Sequence, residues 1–263
     1  MDIKNALVVY ATPTSSEQKK TISLVKGVLK KCKIRHTIAH RDKLGKKSFE
    51  DRDLAIAVGG DGTFLKAAHF IFDKTHVFGV NSDPESKEWF FMAASRKDFE
   101  KKFKRILNGN YKLKKLSRLE AYISGKKVPE LALNEFYISR EKEYRTARYY
   151  IAIDRMKERQ KSSGVIISTA AGSHAWMKSA GGKTLPIESN KFEYLVREPY
   201  CGRISSKCSL VNGILGKNDK LEIEFELGNG ILIADSLSME HNFRAGQKII
   251  VRISEKPLYS VVF

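Results

Sequence analysis

The chain has 263 residues, which suits one large domain or two smaller ones and is ample for a hydrophobic core. Its 42% hydrophobic and 30% charged residues are typical of a globular protein and exclude a disordered one. The 48 Lys and Arg against 30 Asp and Glu give a net charge of +18, which attracts nucleic acid, anionic membranes or nucleotide phosphates. A lysine-rich solvated surface without such a partner explains the same excess.

The cysteines and the N-terminus bear on the cellular compartment. Cys32, Cys201 and Cys208 are too few and too scattered for a disulfide framework or a Cys₄ zinc site, so we expect reduced thiols in a reducing compartment. The chain enters an apolar run at residues 6–10 without a signal-peptide core or an Arg/Ser-rich transit segment. No apolar run approaches membrane-spanning length, so we expect a cytoplasmic protein.

The first part of the chain alternates strand and helix patterns. The predicted strands are residues 6–10, 34–39, 54–58 and 77–80. Helical spacing of apolar residues predicts helices after Ser15, after Thr63 to about residue 72, and from Ser95 to Gly109. This alternation indicates a three-layer α/β domain with a parallel sheet, whose ligands bind at the carboxyl ends of the strands.

The most informative local pattern is the turn Gly59-Gly60-Asp61-Gly62-Thr63, which follows a buried strand and precedes a helix. Backbone N–H groups at such a helix N-terminus cradle phosphate, and glycines allow close approach and positive φ. A carboxylate repels phosphate, so Asp61 needs a separate role: Mg²⁺ ligand, proton acceptor for a hydroxyl, or helix cap. An ordinary glycine turn is the alternative.

The pattern changes near Tyr111 to strands with a period of two. The predicted strands are residues 119–124, 131–139, 149–153, 221–227 and 231–233. The last two, joined by Gly228-Asn229-Gly230, predict a β-hairpin. We therefore expect an α/β domain over residues 1–112 and a mostly antiparallel, β-rich domain over residues 113–263, with about the last 20 residues packing back on the first domain.

Two further stretches carry polar or small residues typical of ligand sites. Asn134 and Glu135 are neighbours, which point to opposite faces within a strand but reach one ligand at a strand end or bulge. Their amide and carboxylate suit adenine or ribose hydroxyls, and an ordinary edge-strand pair is an equally good explanation. Residues 163–182 combine a buried strand with many small residues, which mark close approach of a ligand or of backbone.

Within this second stretch, Trp176 offers a flat stacking face. Lys178 either steers a phosphate or faces solvent. His174 is assigned no acid–base role.

In chain order, Gly59-Gly60-Asp61-Gly62-Thr63, Gly79-Val80-Asn81, Leu133-Asn134-Glu135 and the run from Ile167 to Gly182 resemble the NAD kinases. Four motifs in this order at sensible spacing are specific. The resemblance implies a fold of the NAD kinase/diacylglycerol kinase type, with NAD between an α/β and a β-rich domain. It also implies transfer of a phosphoryl group from ATP or another donor to the 2′-hydroxyl of the adenosine ribose of NAD, with Mg²⁺ or another divalent cation.

The resemblance also implies roles for individual residues. Asp61 would accept the proton of the 2′-hydroxyl, Asn134 and Glu135 would hold the NAD, and no side chain is assigned as a metal ligand. The residues matched to substrate- or nucleotide-binding positions are Gly59, Gly60, Gly62, Thr63, Asn81, Asn134, Glu135, Arg145, Lys161, Thr169, His174, Ala175, Trp176, Lys178 and Ser179. The family forms dimers and larger assemblies, so a homo-oligomer, dimer or tetramer, is expected.

The sequence departs from the family pattern in three places. Asn81-Ser82-Asp83-Pro84-Glu85-Ser86 replaces Asn-x-Gly-x-Leu-Gly-Phe, and residues 169–176 replace Thr-Pro-Thr-Gly-Ser-Thr-Ala-Tyr. Ser163 stands where the family has Asp, so a ligand contact there is not carried over. These forms look more like the branch that includes mitochondrial NAD kinases. Because no transit segment is visible, we expect a compact bacterial or archaeal relative or a chain that has lost that segment.

Two rival functions follow from other features. A lipid kinase of the diacylglycerol or sphingoid type shares the Gly-Gly-Asp-Gly-Thr turn, but the polar, small residues at 168–179 do not suit acyl chains. A nucleic-acid-binding protein would explain the charge, yet the chain lacks a helix-turn-helix, zinc-knuckle or aromatic RNA-binding pattern. We therefore expect small-molecule substrates and neither a nucleic acid nor a membrane partner. The residues do not distinguish NAD from NADH or one phosphoryl donor from another.

Overall fold

The computed structural model describes residues 2–142, 144–202, 208–237 and 240–263. The helices are α1 Ser16–Lys31, α2 Asp61–Ala68, α3 Phe99–Leu107 and α4 Trp176–Ser179. The strands are β1 Asn5–Tyr10, β2 Arg35–His40, β3 Leu54–Gly59, β4 His76–Asn81, β5 Ala94–Ser95, β6 Lys112–Leu116, β7 Leu119–Ile123, β8 Lys126–Lys127, β9 Glu135–Arg140, β10 Ala147–Ile153, β11 Met156–Ser162, β12 Gly164–Thr169, β13 Phe192–Arg197, β14 Asn212–Leu215, β15 Lys220–Phe225, β16 Gly230–Ala234, β17 His241–Phe243, β18 Lys248–Ile253 and β19 Leu258–Val262. Among the described residues, no helix is long and apolar enough to cross a membrane.

The N-terminal unit comprises Met1–Lys115 and Leu258–Phe263. Its sheet has the order β2-β1-β3-β4-β19-β6, with the short β5 paired to β4. The pairs β1–β2, β1–β3, β3–β4 and β4–β19 are parallel. The prediction of a parallel α/β sheet is confirmed.

The sequence of β3, Leu-Ala-Ile-Ala-Val-Gly, is buried at every position, as expected for a central strand with both sheet faces covered. On one face, Ile56 of β3 lies in a core cluster with Leu29 of α1 and Phe103 of α3. The alternate residues Ala55 and Ala57 are also fully buried. The helices therefore cover the sheet and leave its strand ends to carry polar residues.

Three predicted helix boundaries in this unit are wrong. Helix α2 begins at Asp61 rather than after Thr63. Helix α2 ends at Ala68 rather than near residue 72, because the amide of Phe70 bonds to the carbonyl of Ala67 and tightens the last turn. Ser95 does not start a helix: its amide donates to Asp98 Oδ1 at 2.7 Å in a turn after β5. Helix α3 begins at Phe99 instead.

The C-terminal unit, Leu116–Pro257, contains two antiparallel sheets. One has the order β11-β10-β15-β18-β7-β8 and the other β14-β13-β12-β9-β16-β17. A single hydrophobic cluster contains Ile151 and Phe225 from the first sheet and Val165 and Phe192 from the second. The two sheets therefore pack face to face, and the prediction of a β-rich domain is confirmed.

The predicted hairpin across Gly228-Asn229-Gly230 is wrong. Strand β15 pairs with β10 and β18, whereas β16 pairs with β9 and β17 in the other sheet. The glycine-bearing turn therefore carries the chain from one sheet to the other. The local pattern predicts the two strands but not their partners, because β15 and β16 are each paired on both edges by other strands.

The expectation of reduced thiols is also wrong for two cysteines. Cys201 and Cys208 form a disulfide with a Cα–Cα distance of 5.9 Å, and Cys32 is free. Both ends of this loop are tied to β11: the Tyr200 amide donates to the Lys161 carbonyl, and the Ser209 amide donates to Glu158. This anchoring brings the two cysteines together, and the cysteine argument for a reducing compartment is lost.

We expect thiol titration of the denatured, unreduced protein to detect one thiol per chain, from Cys32, and three after reduction. The double variant Cys201→Ser/Cys208→Ser should lose about 2–3 kcal/mol of unfolding free energy, since a short loop is no longer closed in the unfolded chain. Cys32→Ser is the matched control and should leave thermal stability nearly unchanged. Three thiols before reduction would contradict the disulfide.

Candidate active site

The turn at residues 59–63 joins β3 to α2 at the carboxyl end of the parallel sheet. Gly60 is the N-cap of α2 with φ −117°, and Asp61 is the first helical residue. A Cβ on Gly59 would overlap Thr63 Oγ1, so glycine is needed there for close approach and not for a positive φ. The first-turn amides of α2, at Asp61 and Gly62, therefore lie on a turn with little side-chain bulk, as a phosphate site requires.

Asp61 is half-buried, and its carboxylate is held by backbone. Oδ2 accepts a hydrogen bond from the Phe90 amide and Oδ1 one from the Phe91 amide, each at 2.9 Å. Burial raises the pKa of Asp61 above its ordinary range, although the two amides oppose this shift. Each carboxylate oxygen retains a second lone pair. Asp61 is not the N-cap, and its arrangement is suited to accepting a proton.

Asn81 lies at the end of β4, and its side chain is used within the loop that follows. Nδ2 donates to the Lys87 carbonyl at 3.1 Å, and Oδ1 accepts from the Asp83 amide at 2.9 Å. Lys87 also packs against Gly60: a Cβ built on Gly60 would lie 3.2 Å from the Cβ of Lys87. Asn81 therefore shapes the segment beside the Gly60–Asp61 corner.

Arg41 is a residue that sequence reasoning missed. It follows β2 in a 3₁₀ turn, and its Nη1 lies 3.6 Å from the position of a Cβ on Gly62. Its Nε is buried without a hydrogen-bond partner among the described residues, and Asp42 Oδ1 is 3.7 Å away. A cation thus lies beside the glycine turn. No motif marks it, and the available signal is its place directly after the carboxyl end of a strand.

In the C-terminal unit, Asn134 and Glu135 lie at the start of β9 and are both buried, with 9% and 3% exposure. Asn134 Oδ1 and Glu135 Oε2 are buried without hydrogen-bond partners within the described ranges. Glu135 Oε1 accepts from Ser236 Oγ at 3.4 Å. Buried acceptors left without donors are costly, so this pair indicates a ligand that supplies hydroxyl or amino groups.

Asp235, also missed as a functional residue, holds the backbone of this pair. Its carboxylate accepts hydrogen bonds from the amides of Leu133, Asn134 and Glu135 at 3.0, 2.7 and 3.0 Å. Burial, and then the charge of Asp235, raises the pKa of Glu135 to about 8. Sequence distance hid this contact, because about a hundred residues separate Asp235 from its partners.

The small residues after β12 bring backbone close to Asn134, as predicted. Thr169 Oγ1 donates to the Leu133 carbonyl at 2.6 Å and accepts from the Gly172 amide at 3.0 Å. A Cβ on Gly172 would overlap the Asn134 carbonyl. Thr169 and Gly172 thus support Asn134 through backbone contacts.

Trp176 is half-buried. Its ring centroid lies 4.9 Å from the ring centroid of Tyr137, and the Arg197 guanidinium lies 5.4 Å from the Trp176 ring centroid. His174 is exposed, with Nε2 3.0 Å from the Leu185 carbonyl.

The other predicted binding residues are less engaged. Lys178 and Ser179 are exposed on α4, and Ala175 is half-buried at its start. Arg145 is exposed just before β10, and Lys161 lies on β11 with Nζ 5.8 Å from the Tyr200 ring. Lys161 therefore lies in the sheet that does not contain β9, and both residues remain predicted binding residues.

The described residues offer no cluster of three His, Cys, Asp or Glu side chains that could hold a metal ion. Mg²⁺ at phosphoryl-transfer sites is often bound mainly through substrate phosphates and water, with few protein ligands.

The fold is that of solved NAD and NADH kinases. An NAD kinase from Archaeoglobus fulgidus, crystallised in complex with ATP, is similar with a TM-score of 0.78 and 22% identity over 97% of this chain and 92% of that chain. Yeast NADH kinase complexed with NADH gives a TM-score of 0.82 and 17% identity over 100% and 84%.

Sequence comparison establishes the family. The ATP-NAD kinase C-terminal domain matches residues 133–263. A probable NADH kinase from Oryza sativa subsp. japonica is 30% identical over 93% of this chain and 81% of its own length. An NAD kinase from Prosthecochloris aestuarii is 30% identical over 79% and 70%. The chain belongs to the NAD kinase family and is a phosphotransferase.

The raised pKa of Glu135 has a consequence for stability. Protonated Glu135 contributes stability that is fully present below its unfolded pKa, about 4.3, and is lost as pH rises through about 8. We expect Glu135→Gln to remove this dependence and to melt several degrees higher than wild type at pH 9. The check is calorimetry of the ligand-free protein from pH 5.5 to 9.

Glu222→Gln is the matched control, because Lys220 and Lys248 lower the pKa of Glu222 and it titrates below this range. Its melting temperature should follow the wild-type curve. Parallel curves for wild type and Glu135→Gln would contradict the raised pKa.

Proposed function

We propose that this chain phosphorylates the 2′-hydroxyl of the adenosine ribose of NAD or NADH, with ATP or another nucleoside triphosphate as donor. The observation that carries this proposal is the pair of buried acceptors without donors, Asn134 Oδ1 and Glu135 Oε2. A dinucleotide supplies the hydroxyl and amino donors that such a pair needs. Membership in the NAD kinase family supports the same substrate class.

In this mechanism Asp61 accepts the proton of the attacking hydroxyl. The oxygen of the ribose forms a bond to the γ-phosphorus, the bond from that phosphorus to the β–γ bridging oxygen breaks, and the nucleoside diphosphate leaves with the electron pair. The amides of Phe90 and Phe91 hold the Asp61 carboxylate in one orientation, which removes the cost of ordering it during the reaction. Most of the catalysis then comes from positioning and charge neutralisation.

Donor phosphates would be neutralised from two sides. The first-turn amides of α2 carry the positive end of the helix dipole, and the Arg41 guanidinium lies beside Gly62. When bound, a divalent ion would supply further neutralisation of the phosphate oxygens. The overall charge of +18 would attract anionic substrates to the chain.

Four expectations drawn from the sequence remain proposals. They are Mg²⁺ as the divalent ion, a homo-oligomer, a cytoplasmic location and the absence of nucleic-acid and membrane partners. NADH deserves equal rank with NAD as substrate, because the rice relative and an Arabidopsis thaliana relative matched over 98% of this chain both carry the name NADH kinase.

The test is an assay of purified protein for NADP and NADPH, with NAD or NADH crossed against ATP and polyphosphate in the presence of Mg²⁺. We expect phosphorylated dinucleotide with at least one of the four combinations. No product in any combination, while a lipid substrate in liposomes is phosphorylated, would overturn the proposal in favour of the lipid kinase alternative.

Asp61→Asn should lower turnover by about 10²–10⁴-fold, the usual contribution of a general base, while NAD affinity stays nearly intact. Because the pKa of Asp61 is raised, wild-type turnover should fall with decreasing pH above the ordinary aspartate range. The variant also loses an acceptor for one loop amide, so about 1–3 kcal/mol of stability should go with it. Turnover and NAD binding are measured on protein that circular dichroism shows to be folded.

Glu88→Gln is the control for this experiment, since the charge of Glu88 contributes to the raised pKa of Asp61. It should keep turnover and move the acid limb to lower pH. Wild-type turnover in Asp61→Asn would exclude the proposed role.

Arg41→Met should raise the KM for the phosphoryl donor about 10-fold or more, because a charge-assisted contact to phosphate is lost. The dissociation constant of NAD should not change. Lys43→Met, in the same 3₁₀ turn and exposed, is the matched control and should leave both constants unchanged. Equal donor KM values in the two variants would remove Arg41 from the site.

A further inference from the structure

We propose that Asp235, accompanied by the buried Arg118, is a positioning residue that sets the backbone of the dinucleotide-binding pair Asn134 and Glu135. The proposal rests on the proposed function of that pair. Neither Arg118 nor Asp235 touches the ligand in this scheme, so both are positioning residues.

Asp235 fixes the backbone of the pair from both directions. Its carboxylate accepts from three consecutive amides, those of Leu133, Asn134 and Glu135, and its own amide donates to the Glu135 carbonyl at 2.8 Å. This contact continues the β9–β16 ladder, which ends at the pair Phe136 and Ala234. The backbone at 133–135 is therefore held, while the side-chain oxygens of Asn134 and Glu135 stay open for a ligand.

The backbone conformation at this point is unusual. Asp235 and Ser236 have φ values of 51° and 52°, in the left-handed region that non-glycine residues enter at a cost. The conformation directs the Asp235 carboxylate to the amides and the Ser236 hydroxyl to Glu135 Oε1. Such a cost persists only where the surrounding contacts compensate it.

Arg118 supplies the compensating charge. Its side chain is fully buried, with Nε donating to the Lys256 carbonyl at 2.9 Å and Nη2 to the Pro257 carbonyl at 3.4 Å. Burial lowers the pKa of Arg118 to about 9, and the charge of Asp235 opposes that shift. A fully buried guanidinium is costly without an anion, and the charge of Asp235 offsets part of that cost.

Arg118 also connects the two ends of the C-terminal unit. The C-terminal unit runs from Leu116 to Pro257, so Arg118 lies just after the chain enters the unit and binds the last two carbonyls before it leaves. The Ser254 amide also donates to the Arg118 carbonyl at 2.8 Å. The entry and exit segments are thus joined to each other and, through Asp235, to the pair at 134–135.

The charge of Asp235 also acts on Glu135, which is buried. The charge of Asp235 is the second cause, after burial, of the raised pKa of Glu135. Ionised Glu135 is the better acceptor for ligand hydroxyls. NAD affinity should therefore rise with pH as Glu135 ionises, and the pH midpoint of this rise reports the charges around it.

This electrostatic coupling gives a readout that a merely structural role would not move. Removing the negative charge in Asp235→Asn should shift the pH midpoint of NAD affinity downward. Arg118→Met removes the charge that accompanies Asp235, and its effect is measured as a change in NAD affinity. Loss of packing alone has no reason to move the midpoint in Asp235→Asn.

The experiment measures the dissociation constant of NAD by calorimetry from pH 6 to 9, together with KM and kcat, on the full chain. We expect Asp235→Asn and Arg118→Met to weaken NAD binding about 10-fold or more, as when a buried hydrogen-bonding group loses its partner. The change in KM for NAD should exceed the change in kcat, and the KM for the donor should stay within twofold. Arg118→Lys, which keeps the charge, should recover part of the affinity.

Arg252→Met is the matched control. Arg252 lies on β18 of the same unit and pairs with Glu120 through its Nε at 2.8 Å. This variant loses an arginine and a carboxylate partner but should bind NAD with the wild-type constant and midpoint. Arg118→Lys serves as the test if either of the more drastic variants does not fold.

Wild-type NAD affinity in folded Asp235→Asn or Arg118→Met would overturn the proposal, as would lower thermal stability of Asp235→Asn with an unchanged midpoint. Failure of the proposed function itself looks different. In that case the wild-type protein would not bind NAD, and Glu135→Gln would leave the calorimetric trace unchanged.

Discussion

Hydrogen bonds from backbone N–H groups to carboxylates fix the segments on which the candidate site depends. Asp61 holds the amides of Phe90 and Phe91, and Asp235 holds those of residues 133–135. Glu193 accepts the Lys183 amide with both oxygens at 2.9 and 3.0 Å. Charge-assisted bonds of this kind are stronger than neutral ones, and they connect loops that secondary structure does not reach. Each proposed site segment is thereby fixed by a carboxylate distant in sequence.

The hydrogen bonding is divided unevenly between backbone and side chains. At residues 133–135 every amide has a partner, whereas Asn134 Oδ1 and Glu135 Oε2 have none among the described residues. If stability alone mattered, these atoms would be paired with donors or replaced by apolar groups, because each costs about 1–3 kcal/mol when buried without a hydrogen-bond partner. The rigid backbone and the open acceptors together make a pre-organised site, which a ligand completes at little further ordering cost.

Local sequence was sufficient where local forces decide the structure. The apolar run of β3, the glycine turn and the start of α2 follow from residues 54–68 alone, because strand, turn and helix N-terminus each have a short-range signal. The α/β and β-rich halves were likewise predicted from the change of hydrophobic period. The small residues after β12 predicted close approach, and the Asn134 carbonyl against Gly172 is that approach.

The tertiary structure alone decided which distant groups meet. Strands β15 and β16 read as a hairpin, but each is paired on both edges by strands from elsewhere in the chain. Cys201 and Cys208 meet because both ends of their loop dock on β11. Arg41, Arg118 and Asp235 carry no motif, and their positions follow from long-range packing in a buried, low-dielectric interior. The sequence by itself determined most secondary-structure elements and the candidate functional residues. Long-range contacts determined which strands and side chains pair, because a short-range pattern holds no information about what lies across a sheet.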